Sequence, residues 1–199
     1  MSILLIATNN QGKLNEIQAL LMDLGLELVT PAKLGIDLQV EESGKTYIEN
    51  ASRKGSAYAS ASGLLTMADD SGLEVDALGG LPGIYSARFS PEPGATDADR
   101  RAYLLKKLQD LPRPWTSRFR CLIALVTPVG EVHTSEGVCN GEIIPQERGQ
   151  NGFGYDPIFL LPDLGRTMAE LSMEEKNQLS HRARAIQAAR PILAYLGVK

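Results

Sequence analysis

Cysteine is scarce in this chain: only Cys121 and Cys139 occur among 199 residues, and they are not closely spaced. This excludes a small disulfide-stapled scaffold and fits a reducing compartment, although one bridge between the two stays compatible with the count. Long apolar runs are missing as well, since no stretch approaches the roughly 18 to 20 residues needed to span a bilayer. Positive charge is not in excess. A net charge of -4 speaks against a broad duplex-binding surface, which rests on many Lys and Arg at phosphates, yet it is compatible with a single metal-bound nucleotide. The opening Met1-Ser2-Ile3-Leu4-Leu5-Ile6-Ala7 carries no basic leader and turns polar at Thr8-Asn9-Asn10, so it reads as a first strand of a soluble, cytoplasmic protein. Repeats and low-complexity tracts are absent too. What remains is ordinary globular material, 43% hydrophobic and 22% charged, and the length predicts one domain over residues 1–199.

The periodicities alternate between strand and helix. Leu14, Ile17, Leu21 and Leu24 form one helical stripe that ends at Gly25, and a short strand follows at Glu27 to Val29. A polar loop with Glu41-Glu42-Ser43-Gly44 leads to Thr46 and Glu49, a capping box for a helix reaching Ser62 and closed by Gly63. Leu64 to Ala68 reads as the central strand, and Leu73 to Leu78 as a further extended stretch before the tight loop Gly79-Gly80-Leu81-Pro82-Gly83. Asp97 to Leu108 is a predicted helix. Arg118 to Val126 and Glu131 to Cys139 are predicted strands joined by the turn Thr127-Pro128-Val129-Gly130. A second constrained loop runs from Asn151 to Pro157 into Ile158-Phe159-Leu160-Leu161. From Ser172 to Leu196 the pattern is helical, with Ser172 and Glu175 as a capping box and Pro191 kinking or dividing the last helix. The order implies an α/β domain with a mixed sheet.

Ala68-Asp69-Asp70-Ser71-Gly72 is the most informative stretch. Acids at the end of a buried strand deliver hard oxygen ligands to a sheet rim, and neighbouring strand residues face opposite ways, so Asp70 is the candidate for the site while Asp69 caps a turn or orients its neighbour. Taken alone the motif also reads as an Asx-turn. Thr8-Asn9-Asn10-Gln11-Gly12-Lys13 lies between a strand and a helix start, where backbone N–H groups and the helix dipole favour an anion. It is no Walker loop, because Ala7 stands in place of the first glycine and Leu14 in place of the Ser or Thr that would hold magnesium. The dinucleotide pattern fails as well, with Pro157 standing where the third glycine belongs. Lys54 is placed to reach a triphosphate, and Glu41 is the second candidate metal ligand. Lys176, His181 and Arg182 gather near a helix junction with Ser180 as the second helix's cap, and Phe153, between glycines, suits stacking under a planar ring. His133 reads as a sheet-face residue and Cys121 as packing.

In their joint order and spacing these segments resemble the Ham1-like, or RdgB-type, inosine triphosphate pyrophosphatase family over nearly the whole chain. The carriers are Ala7 to Lys13, Glu41 to Gly44, Glu49-Asn50-Ala51 with Lys54, Ala68 to Leu73, Pro82 to Arg88, Gly152 to Phe159, Glu175-Lys176 and Ser180-His181-Arg182. The resemblance implies a long mixed twisted sheet flanked by helices in two lobes with a central active-site cleft. It also implies hydrolysis of ITP, dITP and XTP to monophosphate and pyrophosphate with magnesium in a homodimer, and neither a nucleic-acid polymer nor a membrane as partner. By the same resemblance Asp70 is general base and metal ligand, Glu41 the other metal carboxylate, and Ser71 a substrate contact. Thr8, Asn10, Lys13 and Lys54 would hold phosphates within a loop that includes Asn9, Gln11 and Gly12. Phe153, Gly154, Tyr155, Asp156, Lys176, His181 and Arg182 would surround the base and nearby groups. Asn9 departs from the glycine that many relatives carry. Two rivals stay open: a Maf-like pyrophosphatase acting on pyrimidine nucleotides, and a nucleotide-binding regulator without turnover.

Overall fold

The apolar start of the chain forms β1 (Ile3–Ile6), whose last three residues are buried. The computed structural model describes residues 2–197, so Met1 of the expected first strand and both ends of the expected domain lie outside the described residues. Helix α1 (Gln11–Leu21) begins where the Asn10 side chain accepts a hydrogen bond from the Lys13 amide, and it buries Ile17 and Leu21. One short turn later Gly25 takes the left-handed conformation (φ 61°) that an L side chain resists, and the chain reverses into β2 (Glu27–Val29).

Helix α2 (Tyr47–Ser62) starts at Thr46, whose hydroxyl accepts from the Glu49 amide. The expected reciprocal half is displaced: the Glu49 carboxylate accepts from the Lys45 amide at 2.7 Å, one residue upstream of the cap. Strand β3 (Thr66–Val75) corrects a second expectation. It runs 10 residues without a break, so Asp69-Asp70-Ser71-Gly72 lies inside a strand rather than at a strand end before a turn. β1 pairs with β3 at Thr66 and Met67 and β4 (Trp115–Val126) neighbours β3 on its other side, so the acids continue a strand already anchored in the sheet.

Helix α3 (Asp97–Leu108) opens on a capping box between Thr96 and Asp99. β4 and β5 (Val132–Ile143) form the expected hairpin and both run beyond the predicted limits, with the Gly130 amide donating to the Thr127 carbonyl at 2.9 Å in the turn. β6 (Phe159–Leu161), β7 (Arg166–Thr167), α4 (Met173–Leu179) and α5 (His181–Tyr195) complete the chain. The Ser172–Glu175 capping box forms as expected. Pro191 does not divide α5. The carbonyl it leaves without a helical donor belongs to Gln187, an exposed residue.

The sheet has 7 strands in the order β2-β1-β3-β4-β5-β6-β7. β1 is parallel to β2 and β3, whereas β6 is antiparallel to β5 and β7, which is the mixed sheet the sequence implied. Two compact units can be distinguished, each assembled from separate stretches of chain. The first comprises the chain up to Asp70, Cys121–Gly137 and everything from His181; the second is Ser71–Arg120 with Val138–Ser180. Leu4, Ile6, Ile17, Met67, Ile123 and Ile186 lie in the principal core of the first unit, and Leu73, Leu104, Trp115, Ile158 and Phe159 in that of the second. No helix among the described residues is long and apolar enough to cross a membrane.

Candidate active site

In the first unit the two acids of β3 have different partners, as strand alternation requires. Asp69 Oδ2 meets Lys13 Nζ at 3.0 Å and Arg182 Nη2 at 3.3 Å. Asp70 Oδ2 accepts from Asn50 Nδ2 at 2.9 Å. Arg182 is wholly buried and also pairs with Glu16 of α1. Lys54 of α2 donates to the Asp69 carbonyl at 2.5 Å and to Glu42 Oε1 at 3.2 Å. Asp70 is thus ringed by the amide of Asn50 and by charges from α1, α2 and the 41–44 loop.

Local sequence explains the convergence. Asn10 caps α1 through the Lys13 amide at 3.0 Å, and the Asn10 amide donates to Thr8 Oγ1 at 3.2 Å, which fixes the turn that brings Lys13 back toward β3. Asn9, Asn10 and Gln11 are exposed and Gly12 is half-buried, so the start of α1 offers N–H groups to an anion. Asn50 also accepts from the Gly44 amide at 2.8 Å, tying the acidic loop to α2. A Cβ on Gly44 would lie 2.6 Å from that same Asn50 oxygen, so only glycine fits there.

The electrostatics of the two acids diverge. Burial works to raise the Asp69 carboxyl, but Lys13, Arg182 and Lys54 together hold it well below its ordinary value. Burial dominates at Asp70 and, with the charge of Glu42, raises its carboxyl against the help of Asn50, Lys13 and Lys54. Burial lowers Lys54, yet Asp69, Glu42 and Asp70 outweigh it and keep the ammonium charged. Glu16, Glu42, Asp69 and Asp70 outnumber Lys13, Lys54 and Arg182 by one, so a net negative charge is left in a partly dehydrated place. That imbalance, with hard carboxylate oxygens as donors, fits a divalent cation of the magnesium or calcium kind. Among the described residues no three His, Cys, Asp or Glu side chains form a group that could hold a metal ion, so most ligands of such an ion would have to come from water or substrate oxygens.

In the second unit the 151–157 loop is built around Asp156. Its Oδ2 accepts from Lys176 Nζ at 2.6 Å and from the Phe153 amide at 2.9 Å, in a pair whose side chains are each 4% exposed. Lys176 Nζ lies 5.0 Å from the centre of the Phe153 ring. Gly152 (φ 75°) and Gly154 (φ 62°) are left-handed on either side, and a Cβ at Gly152 would fall 2.1 Å from Asp156 Oδ2. Tyr155 is held by its hydroxyl donating to the Ser86 carbonyl at 2.9 Å, and burial raises its phenol.

The expected residues therefore fall into two groups. Thr8, Asn10, Lys13, Lys54, Asp70 and Arg182 come together in the first unit, while Phe153, Gly154, Tyr155, Asp156 and Lys176 come together in the second. His181, buried at the start of α5, belongs to the first unit, and Ser71, half-buried on β3, to the second. Ser180 stands at the junction itself, ending α4 with its amide donating to the Lys176 carbonyl at 2.9 Å and directly preceding α5. Of the acidic pair, Glu42 is the member that reaches Lys54 and acts on Asp70, while Glu41 is exposed. Glu42, Glu16 and the partnership of Asn50 with Asp70 were not singled out from the sequence. A glutamate amid the Ile17 and Leu21 stripe was the available signal for Glu16.

The model of the Ham1 family matches residues 4–192. A dITP/XTP pyrophosphatase of Desulforamulus reducens is 48% identical over 191 residues, which is 96% of this chain and 94% of that one. The dITP/XTP pyrophosphatase of Geobacter sulfurreducens is 46% identical over 200 residues, covering 100% of both. Among solved structures, a HAM1 protein from Coxiella burnetii superposes with a TM-score of 0.89 at 38% identity, over 98% of this chain and 100% of its own. The Staphylococcus aureus Ham1 protein gives 0.86 at 42% identity with the same coverage, 98% and 100%.

Proposed function

The chain belongs to the Ham1 family, and from that premise we propose that it hydrolyses deaminated purine nucleoside triphosphates, ITP, dITP and XTP, to the monophosphate and pyrophosphate. Removing these nucleotides keeps deaminated purines out of nucleic acid. The observation that carries the reading is the buried Asp70, held by Asn50 and next along β3 to Asp69, which Lys13 and Lys54 contact. Asn50 holds one Asp70 oxygen and so orients the other to receive a proton from an attacking water. Lys13, Lys54 and the amides at the start of α1, with Thr8, Asn9, Asn10, Gln11 and Gly12, bind the phosphates and offset the charge that builds on the departing pyrophosphate.

Asp70 and a carboxylate of the Glu41-Glu42 pair would hold a magnesium ion, which when bound supplies further neutralisation of the phosphate oxygens. Phe153 supplies a face for the purine, flanked by Gly154 and Tyr155, while Asp156 and Lys176 fix that face and present polar groups to the base edge. Ser71 and His181 contact the substrate, while the wholly buried Arg182 supports it through Asp69, the partner of Lys13. Hypoxanthine and xanthine present a 6-oxo acceptor and an N1–H donor where adenine presents the reverse, and each mismatched buried group costs about 1 to 3 kcal/mol. We assign the activity to a single 1–199 domain working in the cytoplasm as a homodimer on a free nucleotide, with neither a nucleic-acid polymer nor a membrane as partner.

The test is pyrophosphate release from ITP, XTP, dTTP, UTP, ATP and GTP, with and without magnesium. Magnesium-dependent turnover of ITP and XTP well above the others is the expected result. Turnover confined to dTTP or UTP, or tight ITP binding with no product, would sink the proposal.

A further inference from the structure

The Phe153 loop is held from outside as well as by Asp156, and its outer holders have no part in the site as described so far. Two side chains from the first turns of α3 grip the same residue, Gly154. Asp97 Oδ2 accepts from the Gly154 amide at 2.8 Å, and Arg101 Nη1 donates to the Gly154 carbonyl at 2.8 Å. Both clamping groups are themselves fixed. Arg101 closes a two-pronged pair with Glu147, Nε to Oε1 at 2.8 Å and Nη2 to Oε2 at 2.9 Å. Asp97 is met by Arg100 Nη2 at 2.5 Å, and Arg100 Nη1 donates to the Ala95 carbonyl at 2.6 Å.

The clamp has a mechanical consequence. Gly152 and Gly154 both sit at positive φ, and nothing lies within 4 Å of where a Gly154 Cβ would be, so side-chain packing at that residue does nothing to hold the loop. Its conformation rests instead on backbone hydrogen bonds, of which the Phe153 amide has Asp156, and Gly154 has Asp97 and Arg101. Fixing the peptides on both sides of the Phe153 Cα leaves the ring only its own side-chain rotations, within contact of Lys176 Nζ. A ring set in advance in one orientation loses little entropy when a planar base stacks on it.

We infer that Asp97 and Arg101 are positioning residues that set base selectivity by clamping the Gly154 peptide and thereby the plane of Phe153. The inference rests on the reading that Phe153 carries the purine. Neither residue touches the reacting phosphate, so the clamp acts on substrate affinity and on discrimination between bases rather than on the chemical step.

The experiment measures pyrophosphate release with ITP and with GTP for Arg101→Ala, Asp97→Ala, Asp97→Asn, Glu147→Gln and Phe153→Ala, with thermal melts to confirm that each variant is folded. Loss of one charge-assisted hydrogen bond predicts that Arg101→Ala and Asp97→Ala each raise KM for ITP by about five- to tenfold, lower kcat by less than about twofold, and narrow the preference for ITP over GTP. Asp97→Asn keeps an acceptor for the Gly154 amide and recovers most of the wild-type KM. Glu147→Gln loosens the anchor of Arg101 without removing a contact to Gly154, and its effect is smaller than that of Arg101→Ala. An unchanged KM in both alanine variants, while Phe153→Ala raises it, would overturn the clamp and leave the base-stacking reading intact. An unchanged KM in Phe153→Ala would overturn that reading and the clamp with it. Equal KM rises in Glu147→Gln and Arg101→Ala would show that the ion pair, not the peptide contact, matters, and the inference would fall.

Discussion

Each unit contains a buried aspartate that holds a lysine, and the two do so for different ends. Asp69 shares one oxygen between Lys13 at 3.0 Å and Arg182 at 3.3 Å, and Arg182 is shared in turn with Glu16. Asp156 has Lys176 at 2.6 Å and gives the same oxygen to the backbone amide of Phe153. The first arrangement is a web of alternating charges, in which each ion is kept buried by neighbours of opposite sign. The second is a brace in which a single ion pair fixes the shape of a glycine-flanked loop. A web tolerates and orients added charge, as a triphosphate and a cation would require. A brace tolerates no movement, as a stacked base would require. The comparison thus divides the proposed work between phosphate chemistry in the first unit and base recognition in the second.

The largest test of this division is at Asp70. Asp70→Asn is expected to lower kcat/KM for ITP by about a thousandfold, since a positioned proton acceptor contributes roughly 10² to 10⁴ in rate. Stability should not fall with it. The folded carboxyl is raised above its ordinary value of 3.8, so its stabilising contribution is present below that pH and lost as pH rises through the folded value; at neutral pH a neutral Asn is no worse than a buried charge. Pyrophosphate release and thermal melts on one preparation check both halves, and near-normal turnover would remove Asp70 from the mechanism.

Asp69→Asn should invert that pattern by acting first on stability. Leaving buried Arg182 and Lys13 short of a counter-charge costs about 3 to 5 kcal/mol, the usual range for breaking a buried pair. Because Asp69 is held below its ordinary value of 3.8, its contribution is full above that pH and lost as pH falls toward the folded value. Denaturant titrations across the acid range should show the wild type losing stability below the ordinary carboxylate value and the variant losing less. A variant as stable as the wild type at pH 7 would mean that the web is not what keeps Arg182 buried.

The contrast also explains what could be read from the sequence. Local signals sufficed for β1, Glu27 to Val29, Gly63 and Asp97 to Leu108, because caps, left-handed glycines and short apolar periods act within a few residues. The continuous β3 was not legible. Asp-Asp-Ser-Gly has the composition of a turn, and its extension continues a strand whose sheet neighbours β1 and β4 are distant in sequence. Lys13, Lys54 and Asp70 were recognisable by type and place. Glu16 and Arg182 are 166 residues apart, so their pairing exists only in the fold. The choice between Glu41 and Glu42 depends on which way a loop residue turns, which no local pattern encodes. Gly154 stood out as a loop glycine, but the long-range grip of Asp97 and Arg101 upon it left no trace in local composition.

The smallest effects come from the brace, where two glycines only two residues apart should respond differently. At Gly152 an alanine meets two obstacles: the left-handed φ of 75°, and a Cβ placed 2.1 Å from Asp156 Oδ2. That oxygen cannot swing away freely, because Lys176 and the Phe153 amide both hold it, so Gly152→Ala is expected to cost about 2 to 4 kcal/mol and to raise KM for ITP. At Gly154, φ is 62° and nothing lies within 4 Å of the added methyl. Only the left-handed strain of an L residue remains, about 1 kcal/mol, or a melting point lower by roughly 2 to 4 °C. Its amide and carbonyl still reach Asp97 and Arg101, since those contacts are made by the backbone, so KM for ITP should stay within about twofold of the wild type. Equal losses of affinity in the two variants would mean that the loop responds to backbone strain as such, and that Asp156 does not brace it.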